Sequence, residues 1–290
     1  MIGPSLRRGS DAVSPTAHYT GHVWVRNGLS HPELATWEGR VLFDALRPAV
    51  TASRALGGPT LEGLLLARHR VIDDLLARAI ESGSVQQVVE PACGMSPRGW
   101  RFTQRYGDGL TYIEADLPQM AARKRRALAR MGSLSDRHRV AELDLLRDDG
   151  PASVASLAAG LDRDRGVVII TEGLITYFDQ GQVLGMWDRF ARVFEPFPQR
   201  RYLADLRLAG ENRGPAERAF GVVLSAFVRG RVHTHFADAD EATAALRAAG
   251  FSEARLHRCG EHPAAGPTRG DPGARRVHII EAVGQSVCHP

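Results

Sequence analysis

The stretch VVEPACGMSPRG, residues 88–99, decides how the fold is read. An apolar run ends in an acid, Glu90, and breaks into a loop carrying a proline, a cysteine and two glycines. A strand that breaks into such a turn opens a ligand-binding α/β unit. The loop nevertheless lacks the G-x-G-x-x-G array whose amides cradle a pyrophosphate. Ala92 and Gly94 still supply the small residues that a close backbone approach needs.

Working outward, short apolar runs alternate with helical stretches. Strands are predicted at 85–90, 110–116, 139–144, 166–171 and 201–206. Before them, TLEGLLLARHRVIDDLLARAIESG places Leu61, Leu64, Leu65, Arg68, Ile72, Leu75, Leu76 and Ala79 at helical spacing, with Gly83 as terminator. Apolar strands separated by helices predict a parallel sheet covered on both faces. Near the end, Asp238 and Glu241 form a candidate capping box, Gly250 stops that helix, and two adjacent strands follow as an antiparallel hairpin. The expected fold is a doubly wound, Rossmann-like α/β domain. Its mostly parallel seven-stranded sheet carries a C-terminal antiparallel hairpin and an N-terminal helical cap.

No internal repeat or long low-complexity linker divides the chain. The expected organisation is an extension and cap over residues 1–59 and one domain over 60–290, with residues 1–15 disordered and Pro32 opening a helix. No apolar run approaches the roughly 18 residues of a spanning helix, and no hydrophobic export segment opens the chain, so a cytoplasmic protein is expected. The 37 cations and 33 anions are interspersed, which argues for a solvated mixed surface and against nucleic acid. The run Arg123-Lys124-Arg125-Arg126 reads as an exposed helix face. Three scattered cysteines support neither a disulfide framework nor a metal site, and Cys93 reads as a packing residue. The His233-x-His235 pair has no third partner in view, so no metal is expected.

In an open α/β sheet, ligands bind beyond the carboxyl ends of the strands. Four acids stand at four successive strand ends: Glu90, Glu114 or Asp116, Asp144 and Glu172. Asp116 lies the distance past the first loop at which a βαβ unit sets a carboxylate on ribose hydroxyls. The pattern describes a site for a nucleoside without phosphates.

Four segments, in order, resemble the leucine carboxyl methyltransferase family and its polyketide O-methyltransferase branch. They are ARHRVIDDLL, VVEPACGMSPRGWRF, YIEADLPQMAARKRRAL and ITEGLITYF. The N-terminal YTGHVWVRNGLSHP is similar to the polyketide branch in particular. The resemblance implies S-adenosylmethionine as cofactor and O-methylation of a carboxyl or hydroxyl group on a small aromatic or polyketide-like acceptor. By the same resemblance, Arg68 would pair with the cofactor carboxylate, and Glu90, Ala92 and Gly94 would line its methionine side. Asp116, with Glu114 close by, would hold the ribose, Asp144 and Leu145 would contact the adenine, and Glu172 would face the amino group. Tyr177 would border the acceptor, with His22 and His31 as candidate bases in the cap. The sequence departs from the family loop at Ala92, where a glycine is usual, and at Ser96, where an acid is usual. A non-catalytic binding subunit that kept the fold is the competing expectation.

Overall fold

The computed structural model describes residues 15–211 and 233–285, so the disorder expected for residues 1–15 falls, except for Pro15, outside the described residues. Three helices precede the sheet: α1 (Pro15–Arg26), α2 (Trp37–Ala55) and α3 (Leu61–Glu81). A 3-10 turn at Pro32–Leu34 begins at the proline, as the sequence predicts, with His31 Nδ1 accepting from the Glu33 amide. Thr36 caps α2 and Thr60 caps α3, each hydroxyl accepting an amide hydrogen from the third residue on. The predicted helix after Thr60 is therefore observed with the expected start.

The alternation follows as β1 (Gln87–Pro91), α4 (Arg98–Tyr106), β2 (Thr111–Asp116), α5 (Pro118–Arg130), β3 (His138–Glu142), α6 (Val154–Ala159) and β4 (Val167–Thr171). Then come α7 (Gln180–Val193), β5 (Gln199–Leu206), α8 (Ala239–Ala248), β6 (Glu253–Arg258) and β7 (His278–Gln285). The strands form one seven-stranded sheet in the order β3-β2-β1-β4-β5-β7-β6. β1 to β5 pair in parallel, and β7 inserts antiparallel between β5 and β6. The expected C-terminal hairpin is thus part of the sheet. Asp238 caps α8, but the Glu241 carboxylate reaches the Ala237 amide, one residue beyond the reciprocal bond of a full capping box.

The two-residue period of the strands divides the core. Val88, Val168 and Ile170 pack with the α3 residues Leu65, Ile72 and Leu76 on one face. Val89, Val167 and Ile169 pack with the α7 residues Met186, Trp187 and Phe190 on the other. The even-numbered acids Glu90 and Glu114 therefore leave their strands toward the face covered by α3 and α4, which governs what they can reach.

One expectation needs correction. Within the basic run on α5, Lys124 is fully buried, because its ammonium pairs with Glu114 under the helix. A helix that lies on a sheet turns one side inward, and the run spans that side.

Candidate functional site

The strand order runs from β1 outward to β3 on one side and from β4 outward to β5 on the other, so the loops after β1 and β4 part and leave a crevice. On the β1–β2 side the backbone builds the site. The Cys93 amide donates to Ala115 O at 3.1 Å, which anchors the loop to β2. The Gly94 and Leu117 amides each donate to a different oxygen of Asp116, both at 2.8 Å. Burial pushes the Asp116 carboxyl above its usual range, and these two amides offset only part of that push. Each carboxylate oxygen retains a lone pair, so the residue can still accept from a pair of vicinal hydroxyls.

Ala92 takes a φ of 53° and is the non-glycine residue with positive φ among the described residues. Alanine in this left-handed region costs about 1–2 kcal/mol. The missing glycine of the loop is therefore a conformational departure as well as a change of size. Ser96 is buried, and its hydroxyl accepts from the Arg98 amide at 3.3 Å at the start of α4.

Glu90 and Glu114 point into the layer between sheet and helices. Glu90 accepts from Arg98 at 2.5 Å and from the Tyr112 hydroxyl at 2.6 Å, and burial raises its carboxyl above the usual range. Glu114 is wholly buried against Lys124 and, at 2.8 Å, His138. Burial alone would raise it, but these cations and donors outweigh burial and hold it low. Helix α4 lies directly over it, since a Cβ on Gly99 would stand 2.2 Å from Glu114 Oε1. Both glutamates, which the resemblance assigns to the cofactor, are held in buried ion pairs.

The β4–β5 side is built by side chains around Arg98. This fully buried guanidinium donates to Asp73 at 2.7 Å, to Glu90 at 2.5 Å and to Glu172 at 2.6 Å, tying α3, β1 and the end of β4 together. Glu172 also accepts from Arg68 at 3.0 Å and lies 2.9 Å from His69 Nδ1. Against burial, His69, Arg98 and Arg68 hold the Glu172 carboxyl well below the usual range. A second Arg68 nitrogen donates to Asp205, at the end of β5, at 3.1 Å, and Asp205 accepts from the Gly173 amide at 2.5 Å. Gly173 has a φ of 72°, and a Cβ there would meet the Arg68 guanidinium at 2.9 Å, so this turn needs glycine on both counts.

Arg68 and Asp205 wall a small open cavity of about 40 Å³. Arg207 and Tyr177 complete its polar side, and Leu61, Leu64, Leu65 and Val277 give it an apolar floor. Thr16 lines it from α1, while the neighbouring Ala17 lies 3.7 Å from where a Gly94 Cβ would stand. The first turn of the cap therefore sits over both halves of the crevice.

The remaining expected residues divide. Tyr177 is on the cavity wall, in the 3-10 turn Ile175–Tyr177. His22 packs on Phe43 of α2 with ring centroids 5.2 Å apart, and His31 packs on Trp100 at 5.5 Å. Neither histidine is among the residues that line the cavity. Burial, with Arg26 close by, lowers the His22 pKa. Asp144 accepts from the Leu146 amide at 3.0 Å in the loop after β3, and Leu145 is buried beside it. The His233-His235 segment lies along the Tyr177 turn, with the His233 amide donating to Thr176 O and His235 Nε2 3.0 Å from Ile175 O. No cluster of ligands able to hold a metal occurs among the described residues.

Sequence reasoning missed Arg98, His69, Asp205 and Arg207. Asp205 carried a readable signal, a fifth acid at the end of a fifth apolar strand. His69 and Asp73, four residues apart on α3, form one half of an ion-pair cluster whose other half is remote in sequence.

The sequence profile of the leucine carboxyl methyltransferase family matches residues 29–191. A proposed S-adenosyl-L-methionine-dependent methyltransferase of Mycolicibacterium gilvum is 34% identical over 113 residues, which cover 39% of this chain and 35% of that protein. One from Mycobacterium leprae is 30% identical over 155 residues, covering 53% and 48%. The chain thus matches less than half the length of these curated relatives. In structure, a proposed methyltransferase from Thermobifida fusca superposes with a TM-score of 0.64 at 12% identity, over 99% of this chain and all of that one. A DUF574 family protein from Streptomyces avermitilis superposes with a TM-score of 0.61 at 15% identity, over 96% and 99%. Both share the fold. The profile match takes in the loop after β1, the Asp116 strand end and the Glu172 turn together, and by it this chain belongs to the leucine carboxyl methyltransferase family.

Proposed function

We propose that the protein transfers a methyl group from S-adenosylmethionine to a carboxyl or hydroxyl oxygen of a small molecule with an apolar body, with the carboxyl favoured. The observation that carries this reading is the cavity at the ends of β4 and β5, where Arg207, distinct from the Arg68 assigned to the cofactor, stands above a floor of leucines and Val277. An anionic head on an apolar body matches that lining.

The cofactor supplies an electrophilic methyl group on a sulfonium centre. Asp116, preset by two amides, would hold the ribose hydroxyls, with Asp144 and Leu145 beside the adenine. Arg68 would take the cofactor carboxylate and Glu172 its amino group. Glu90 and Glu114 act behind the site by fixing Arg98 and Lys124. The protein's work is then alignment and exclusion of water, for which the position of α1 over the crevice is suited.

A carboxylate is a competent nucleophile without a base, whereas a hydroxyl gains from one. Tyr177 and Asp205 are titratable groups on the cavity wall, while His22 and His31 are engaged in packing. Turnover of a panel of apolar carboxylic acids and phenols tests this. Preference for the acids, without a titration between about pH 6 and 8, is expected, and preference for phenols with such a titration would point to a histidine base. Cofactor binding without turnover of either class would favour the scaffolding alternative, for which the strained Ala92 is the motive.

A further inference from the structure

Three of the five exposed large hydrophobic side chains among the described residues lie on or just past helix α2. Trp37 is 72% exposed, Val41 57% and Leu56, just past the helix, 87%. At 3.6 residues per turn, Trp37, Val41, Ala45, Pro48 and Ala52 fall within about a quarter of the helix circumference, and all five are exposed. The opposite side of the helix, through Phe43 and the half-buried Leu42 and Leu46, already packs on the cap and core. A tryptophan left this open at the head of a continuous apolar stripe marks a contact surface.

We infer that this stripe is a self-association surface, on which a second copy of the chain lays its own α2 antiparallel across a two-fold axis. The charges beside the stripe select this occupant. In an antiparallel helix pair each flank faces the same flank of the partner, and here one flank carries Arg40, Asp44, Arg47 and Thr51. With the axis between residues 45 and 46, Asp44 of each copy stands opposite Arg47 of the other, and Arg40 stands opposite Thr51. Neither Asp44 nor Arg47 has an ion-pair partner among the described residues, and both are exposed. The same register sets Trp37 over Ala52 and Ala55 at the far end of the partner helix and Val41 between the partner's Pro48 and Ala52. Large side chains meet small ones, and no like charges oppose. The contact is isologous, so it closes at two copies.

A 19-residue helix is about 28 Å long, and one helix pair buries less than the roughly 800 Å² per partner of a standard stable interface. The dimer should therefore dissociate in the micromolar range. Sedimentation of the full chain between about 1 and 100 μM tests it: a reversible monomer–dimer equilibrium is expected. Trp37→Glu should weaken it at least about tenfold with an unchanged thermal midpoint, since the side chain is exposed. Asp44→Arg and Arg47→Asp should each weaken it about three- to tenfold, and the double charge reversal should restore it. A monomer throughout the range, which would leave the face to a different partner, overturns the inference. So does a dimer indifferent to Trp37→Glu, and so does a double variant that fails to recover.

Discussion

The two halves of the crevice are held by different means. On the β1–β2 side, Asp116 is oriented by the amides of Gly94 and Leu117, so the backbone itself sets the acid. On the β4–β5 side, Arg68, Glu172 and Asp205 are oriented by one another and by Arg98, in an ion-pair network with little contact with solvent. A backbone-held acid loses little when its neighbours change. A network-held acid depends on each member, because an uncompensated charge left in the interior is costly.

The largest expected effect breaks the network at its centre. Arg98→Ala leaves Asp73, Glu90 and Glu172 without their shared cation, and a stability loss of about 3–5 kcal/mol is expected, read from the denaturant midpoint. Lys124→Met tests the same dependence beneath the other half. It strands Glu114 with His138 alone and should cost about 3 kcal/mol by the same measurement, since the hydrophobic stem is kept but the cation is lost.

Acidification should separate Glu172 and Asp116 by sign. Glu172 is held low, so the stability its ion pairs contribute is complete above an ordinary glutamate's pKa and is lost only as pH falls through a much lower folded value. Asp116 is raised, so it takes up a proton at a higher pH than an exposed aspartate. Cofactor affinity measured from pH 7 down to about 4 should therefore fall while the fold remains intact. Asp116→Asn should bind weakly with that pH dependence removed. A fall that tracks loss of near-ultraviolet circular dichroism would instead place the acid sensitivity in the network.

The smallest effect concerns the loop. Ala92→Gly removes left-handed strain and should raise stability by about 1 kcal/mol, less the entropy that glycine adds to the unfolded chain. Cofactor affinity should stay equal or improve.

The same contrast explains what the sequence discloses. The seven strands, the helix after Thr60, the terminal hairpin and Asp116 are legible because they depend on local periodicity and on spacing along one βαβ unit. Arg98 is not, since its three carboxylates come from α3, β1 and the end of β4, and nothing local brings them together. Glu90 and Glu114 illustrate the limit. Their place at strand ends is readable, but the strand pleat turns them toward α3 and α4, and the cations that meet them there belong to helices. Lys124, within a run of arginines, looks solvated until the helix is laid on the sheet. Asp205 was within reach, at the end of a strand that the periodicity already marked.

The central claim is that the crevice binds S-adenosylmethionine with Asp116 on one half and Arg68 on the other. Isothermal titration of the full chain with the cofactor tests it most directly. Saturable one-site binding is expected, weakened about tenfold or more in Asp116→Ala and in Arg68→Ala, each loss corresponding to a charge-assisted hydrogen bond. No binding by the unaltered protein, or binding indifferent to both substitutions in folded variants, would contradict it.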